Sequence, residues 1–260
     1  MVEYAGRFGS VNILGIHVTT EPLAEVLAAI RKVLREDERK GRYVCATSVH
    51  GVIESRRDPH LKEILNQAFI NLPDGRPLAV VGRWLGHRPV EQIKGHDLLP
   101  TVCEMTLDMN VRHFFYGGKE GVAEALAQKM GQRFPGLKVA GTYSPPFRPL
   151  TEAEKDEVVN LINVSNVDII WVGLSTPKQE KWIREFHDKL NANLLFSVGA
   201  AFDYHTGGIK PEPAWMDKVG LEWCYRLLSE PRRLWKRYLK IVPTFVILAV
   251  LQLMKLRSYE

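Results

Sequence analysis

The run Val167–Leu174 (VDIIWVGL) constrains this chain more than any other segment. A strand buried on one face alternates apolar and polar residues. A nearly unbroken apolar run needs cover on both faces, as in the central strand of a parallel sheet. The surrounding segments supply that cover. Glu21–Glu36 has apolar residues at 23, 26, 27, 30, 33 and 34, the period of an amphipathic helix, with Pro22 suited to its first turn. Tyr43–Thr47 reads as a buried strand, His60–Ala68 as a helix, and Phe69–Leu72 as a strand ending at Pro73-Asp74-Gly75. His113–Tyr116 is a strand, followed by a glycine turn, a helix over 122–134 stopped by Pro135-Gly136, and a strand over 138–143. Thr151 with Glu154 forms a capping-box signature for a helix reaching about Asn163. A further helix runs from Pro177 to about Leu190, and a strand covers 193–198. This order predicts an α/β, Rossmann-like fold, a largely parallel sheet flanked by helices.

The 260 residues suffice for one large core. Cys45, Cys103 and Cys224 lie far apart with no CxxC spacing, which excludes a zinc ribbon or redox motif and points to a reducing cytoplasm. The N-terminal segment lacks the basic and apolar regions of a signal peptide. The net charge of +5 resides wholly in the last fifth of the chain, where ten Lys/Arg from Lys210 onward face five acids. Leu221–Leu239 is helical in pattern, basic and rich in Trp and Tyr, with a break expected at Pro231. Thr244–Leu256 is almost wholly apolar, but thirteen residues fall short of the roughly 20 that span a bilayer. The sequence thus divides into an α/β domain over 1–220 and a basic, apolar appendage over 221–260. The appendage suits an anionic membrane surface, a diphosphate gripped by arginine forks, or plain packing on the core. Charge alone leaves nucleic acid open. The apolar run favours the membrane, so no nucleic-acid partner is expected.

Several strand ends carry candidate chemistry. Asp74 is either a general base at a strand end or part of an ordinary Pro-Asp-Gly turn. Gly117-Gly118-Lys119-Glu120-Gly121 is a strand-to-helix turn that either cradles a phosphate or is a plain structural loop, and it matches neither GxGxxG nor GxxxxGK[ST]. Thr176, Lys178 and Gln179 follow the apolar strand and either bind a diphosphate or base edge or simply begin a helix. Asp203 and His205 follow the last strand, but no GxSxG elbow accompanies them, and Asp203 is read as positioning a donor. His50 and His96 stand isolated, and no HExxH spacing occurs. No Asp-x-Asp pair occurs either, so neither a metal nor another cofactor is expected.

In order along the chain stand Leu72-Pro73-Asp74-Gly75, Phe115-Tyr116-Gly117-Gly118, Gly141-Thr142-Tyr143-Ser144-Pro145-Pro146-Phe147 and Trp171 through Trp182 (WVGLSTPKQEKW). Val198-Gly199-Ala200-Ala201-Phe202-Asp203 and Gly220 through Arg233 (GLEWCYRLLSEPRR) follow. Together they closely resemble the WecG/TagA/CpsF family of bacterial glycosyltransferases, over about residues 11–240. The PKQE and GLEW segments are specific in combination.

The resemblance implies inverting, metal-independent transfer of a sugar from a UDP-sugar to a polyprenyl-diphosphate-linked acceptor, in the synthesis of surface polysaccharides. It implies a catalytic domain over 1–220 that works at the cytoplasmic membrane face, docked by residues 221–260. The family's base falls on Asp74. Donor contacts are expected from Gly117, Gly118, Thr176, Lys178, Gln179 and Asp203. Arg226, Arg232, Arg233 and Arg237 are expected at the diphosphates and the membrane. Two segments depart from the family pattern. Where many members have Thr-x-Asn, this chain has Ala46 and Ser48, so Thr47 and Ser48 are the hydroxyls expected at the donor. Where many have an Arg before Val-x-Gly-x-Asp-Leu, this chain has Gln92, and Lys94 is expected to supply that charge at the diphosphate of the lipid-linked acceptor. Self-association into a homo-oligomer is compatible with the sequence and not required by it. A non-catalytic nucleotide-sugar binder of the same pathway is the alternative reading. A dinucleotide-dependent dehydrogenase is disfavoured by the missing GxGxxG.

Overall fold

A computed structural model describes residues 8–36, 39–87, 90–213, 215–216 and 220–259. An antiparallel hairpin opens it, β1 (Ser10–Ile13) with β2 (Ile16–Thr19). Its two-residue turn places Leu14 and Gly15 at φ 55° and 93°, the doubly left-handed geometry that joins twisted strands. Asn12 Oδ1 accepts from the Gly15 amide at 2.8 Å and holds the turn closed.

Six strands then form one parallel sheet: β3 (Arg42–Thr47), β4 (Ile70–Pro73), β5 (Arg112–Gly117), β6 (Lys138–Tyr143), β7 (Ile169–Gly173) and β8 (Leu194–Ser197). Their order across the sheet is β4-β3-β8-β7-β5-β6, and every neighbouring pair is parallel. The predicted α/β class is therefore observed, and the apolar run at 169–173 is an inner strand.

Helices cover both faces: α1 (Leu23–Val33), α2 (Val49–Ser55), α3 (Pro59–Asn66), α4 (Arg76–Trp84), α5 (Gly95–Met105), α6 (Val122–Arg133), α7 (Glu152–Val164), α8 (Lys178–Phe186) and α9 (Ala201–Thr206). The pleat sorts side chains between two cores. Ile170, Val172, Tyr116 and Leu195 join one, with residues from α2, α3, α7 and α8. Ile169, Trp171, Phe115 and Phe196 join the other, with residues from α1, α5, α6 and α9. This alternation explains why β7 must be apolar at successive positions. The expected capping box is present, with Thr151 accepting from the Glu154 amide and Glu154 from the Thr151 amide.

The C-terminal part forms α10 (Glu222–Ser229) and α11 (Pro231–Leu253). The expected break at Pro231 is the boundary between them. The basic and apolar stretches share one helix, because α11 continues through Pro243. Ile241, Phe245 and Ala249 are buried in the first core. Beyond them, the Gln252 side chain accepts from the Leu14 amide at 3.0 Å and donates to the Asn12 carbonyl at 2.8 Å. The end of α11 is thereby pinned to the β1–β2 hairpin. Phe245→Ala should lower unfolding stability by about 3 kcal/mol or more, the usual cost of emptying a buried phenyl site. Urea denaturation checks this, and a loss below about 1 kcal/mol would show that α11 does not belong to the core.

Candidate active site

In an open parallel sheet, ligands bind where successive strands leave in opposite directions. Here β3 leads outward to β4 and β5 outward to β6. The carboxyl ends of β4, β3, β8 and β7 open into a cavity of about 480 Å³. That is within the range for a small-molecule site. Ser48, Asp74, Thr176, Gln179 and Asp203 line its floor, and Arg226 of α10 and Arg237 of α11 line its opposite wall.

Asp74 is fixed from four directions. Its amide is shared between the carbonyls of Thr47 and Leu72, each at 3.0 Å. Its own carbonyl accepts from Gln92 Nε2 at 2.9 Å. Its carboxylate Oδ1 accepts from the Gly95 amide at 2.7 Å, at the N-terminus of α5. Gly95 is required there for space: a Cβ would lie 3.0 Å from the Val198 carbonyl oxygen and 3.3 Å from the Ala46 side chain. Burial raises the proton affinity of Asp74 above the ordinary carboxylate range, while the Gly95 bond, His96, Lys94 and Arg226 counter it. A half-buried carboxyl of raised affinity facing a cavity is suited to accept a proton.

The turn after β7 is held by a buried carboxyl. Glu180 Oε1 accepts from Thr176 Oγ1 and from Gln179 Nε2, both at 2.9 Å. Burial raises the Glu180 proton affinity as well. Gln179 Oε1 in turn accepts from the Gly199 amide at 3.0 Å, tying the β7 turn to the β8 turn. Both ends of the Gln179 amide are thus engaged in shaping the floor.

Comparison with known proteins fits this architecture. The model of the Glycosyl transferase WecG/TagA/CpsF family matches residues 11–259. The chain belongs to this family. It is similar to the N-acetylglucosaminyldiphosphoundecaprenol N-acetyl-beta-D-mannosaminyltransferase of Bacillus spizizenii strain W23, 30% identical over 81% of this chain and 79% of the relative. Its counterpart of the same name in Bacillus subtilis strain 168 is 28% identical over 79% and 78%. That of Staphylococcus aureus strain MW2 is 24% identical over 94% of each chain. As a family member the protein is a glycosyltransferase.

The family's expected positions do not all meet at the cavity. Asp74, Ser48, Thr176, Gln179, Asp203, Arg226 and Arg237 line it. Thr47 is buried beneath it, with Oγ1 donating to Asn71 Oδ1 at 2.5 Å. Gly117 and Gly118 lie outside the lining. A Cβ on Gly117 would meet the Gly173 carbonyl at 2.5 Å, and the Gly118 amide donates to that carbonyl at 3.0 Å. In this structure the glycines let β5 and β7 approach. Lys178 also lies outside the lining, its ammonium 5.8 Å from the centre of the exposed Phe147 ring. Arg232 is exposed, and the Arg233 side chain is outside the described residues. Lys94 is largely buried and pairs with Glu212 at 3.2 Å and Glu222 at 3.8 Å. His205 does not pair with Asp203; its Nε2 donates to the His96 carbonyl at 2.7 Å.

Sequence reasoning passed over Tyr204 and Glu222 as site residues and treated His96 as isolated. The His96 ring stacks on Tyr204 at 4.3 Å, and the Arg226 guanidinium lies 5.8 Å from the Tyr204 ring. The position of His96 one residue after Gly95 was the available signal. Among the described residues no group of His, Cys, Asp and Glu is arranged to hold a metal ion.

Gly95→Ala should push α5 away from Asp74 and reduce kcat by up to about 10²-fold, the scale of an ångström-sized misplacement. Near-wild-type kcat in a folded Gly95→Ala protein would show that the α5 contact is not needed.

Proposed function

We propose that this glycosyltransferase moves a sugar from a UDP-sugar to a polyprenyl-diphosphate-linked acceptor sugar by direct displacement with inversion. The observation that carries this reading is the carboxyl of Asp74 on the floor of a cavity whose far wall presents Arg226 and Arg237. The names of the relatives, which specify a diphosphoundecaprenol-linked substrate, support the acceptor class.

The chemistry follows from the charges. Asp74 takes the proton of the attacking acceptor hydroxyl as the new glycosidic bond forms at the anomeric carbon. The bond from that carbon to the UDP oxygen breaks, and UDP leaves with the electron pair. Arg226 and Arg237 meet the charge gathering on the diphosphate, so no divalent cation is required for that step. Thr176 and Asp203 face the same space from the floor and are assigned to the donor.

The appendage brings the cavity to the acceptor. Trp235, Leu239, Ile247 and Val250 are exposed on α11, beside exposed Arg232, Lys236 and Lys240. Among the described residues no helix is long and apolar enough to cross a membrane. A helix with this composition lies in the interface of an anionic bilayer. The reading therefore places residues 221–260 on the cytoplasmic face of the cell membrane, in surface-polysaccharide synthesis. Deleting the tail would strip Ile241 and Phe245 from the core, so point substitutions test docking more cleanly.

Two outcomes are expected. Asp74→Asn should lower acceptor-dependent UDP release by about 10²–10⁴-fold while UDP binding persists. The assay is run over a panel of UDP-sugars with a short polyprenyl-diphosphate-linked acceptor and EDTA. Wild-type turnover by Asp74→Asn would remove Asp74 from the mechanism, and EDTA-sensitive turnover would contradict metal independence. Separately, Trp235→Asp with Leu239→Asp should weaken binding to anionic vesicles by about tenfold or more, because both side chains leave the apolar contact. Unchanged vesicle sedimentation would contradict docking through α11.

A further inference from the structure

Between Asp74 and α10 lies a cluster of charges that the reaction above does not use. Lys94 Nζ stands between two carboxylates, Glu212 at 3.2 Å and Glu222 at 3.8 Å. The side chains of Lys94 and Glu212 are largely buried, and that of Glu222 is 27% exposed. Lys94 caps α5, and the next residue, Gly95, donates the hydrogen bond to Asp74. Glu222 begins α10, and Arg226 stands one turn further on the same face. Arg226 lies over Tyr204, which stacks on His96, the residue after Gly95. Two independent ties from the first turns of α10 therefore end on residues 94–96, the segment that grips Asp74. The Tyr204 hydroxyl, the Arg226 Nε and one Glu212 oxygen are buried there without hydrogen-bond partners. Such a seat is incompletely satisfied and costly to keep closed.

We propose that Glu222 is a positioning residue. Packed beside Lys94 in its protonated form, it seats α10, and with it Arg226, against the α5 terminus that holds Asp74; its ionisation puts a further negative charge beside the carboxylates of Glu212 and Asp74 and loosens that seat. The inference rests on the reading of Asp74 as the base.

The loosening has a definite sign. Glu222 faces Asp74, Glu212 and the Tyr204 hydroxyl on one side of the balance, and Lys94 and Arg226 on the other. Burial, then Asp74 and Glu212, push its carboxyl up to about 7. A group whose proton affinity is raised by docking stabilises the docked form while it is protonated. That stabilisation is complete below the ordinary carboxylate range and is lost as pH rises to about 7. Lys94 limits the loss by offsetting part of the repulsion. At neutral pH and above, α10 is thus held less firmly, and the acceptor side of the cavity is easier to open.

Glu222→Gln keeps the shape of the protonated side chain and cannot ionise. Amide hydrogen exchange in residues 223–229, corrected for intrinsic rates, reads the seat directly, and acceptor KM reads its consequence. In the full-length wild type, exchange and acceptor KM should both rise by about threefold or more between pH 6 and pH 8, the scale of one ion pair. In Glu222→Gln both should stay flat across that range. Lys94→Met should move the rise to higher pH, because the ammonium no longer favours the charged carboxylate, and adding Glu222→Gln to it should abolish the rise. A pH profile shared by wild type and Glu222→Gln, or additive effects of the two substitutions, would overturn the proposal. Exchange needs no turnover, so the two readings fail separately. If Asp74 is not the base, Asp74→Asn turns over while the exchange pattern persists.

Discussion

A parallel sheet places the carboxyl ends of all its strands on one edge, and the site of this protein depends on that constraint. Four of those ends, from β4, β3, β8 and β7, supply the cavity floor. At two of these ends a bond to a neighbouring turn adds to the sheet ladder. Asp74 is gripped by the α5 terminus, and Gln179 bridges to Gly199. Polar groups taken out of water must find such partners, and the partners fix geometry to within a hydrogen-bond length. The carboxyl of Asp74, proposed as the base, and the buried carboxyl of Glu180 use the same device. One faces the cavity with its affinity raised by burial; the other is engaged by Thr176 and Gln179 and shapes the wall.

The C-terminal helices join two tasks. Their inner faces bring Arg226 and Arg237 to the cavity and Phe245 to the core. The outer face of α11 carries Trp235, Leu239, Ile247 and Val250 into solvent among basic side chains. Trp223 of α10 meets Tyr238 of α11 edge to face at 6.0 Å, a contact that joins the two helices carrying the arginines. On the proposed reading, a membrane surface met by the outer face would touch the same helices that wall the cavity.

The sheet was legible because its strands are apolar on both faces, a pattern that survives without tertiary information. Asp74 was legible because Pro-Asp-Gly follows such a strand. The β1–β2 hairpin was not, since its turn uses Leu14-Gly15 in place of the usual Asn-Gly signal. Helix α5 was obscured by Gly95 at its start and Pro100 within it. Gly95 is there because the helix terminus must approach Val198 closely, a reason visible only in three dimensions. The glycine-rich turn at 117–121 left a phosphate cradle and a plain structural loop both open, and the structure gives Gly117 and Gly118 a packing role against Gly173. The Lys94–Glu222 pair joins segments remote in sequence, and no local pattern announces it.

The account centres on one carboxylate acting as base in a single displacement. The anomeric configuration of the sugar in the acceptor-linked product, determined by NMR from the wild-type reaction, tests that centre most directly. An α-linked UDP-sugar should yield a β-linked product. An α-linked product would contradict the account, because retention requires either a second displacement or attack from the face that UDP leaves.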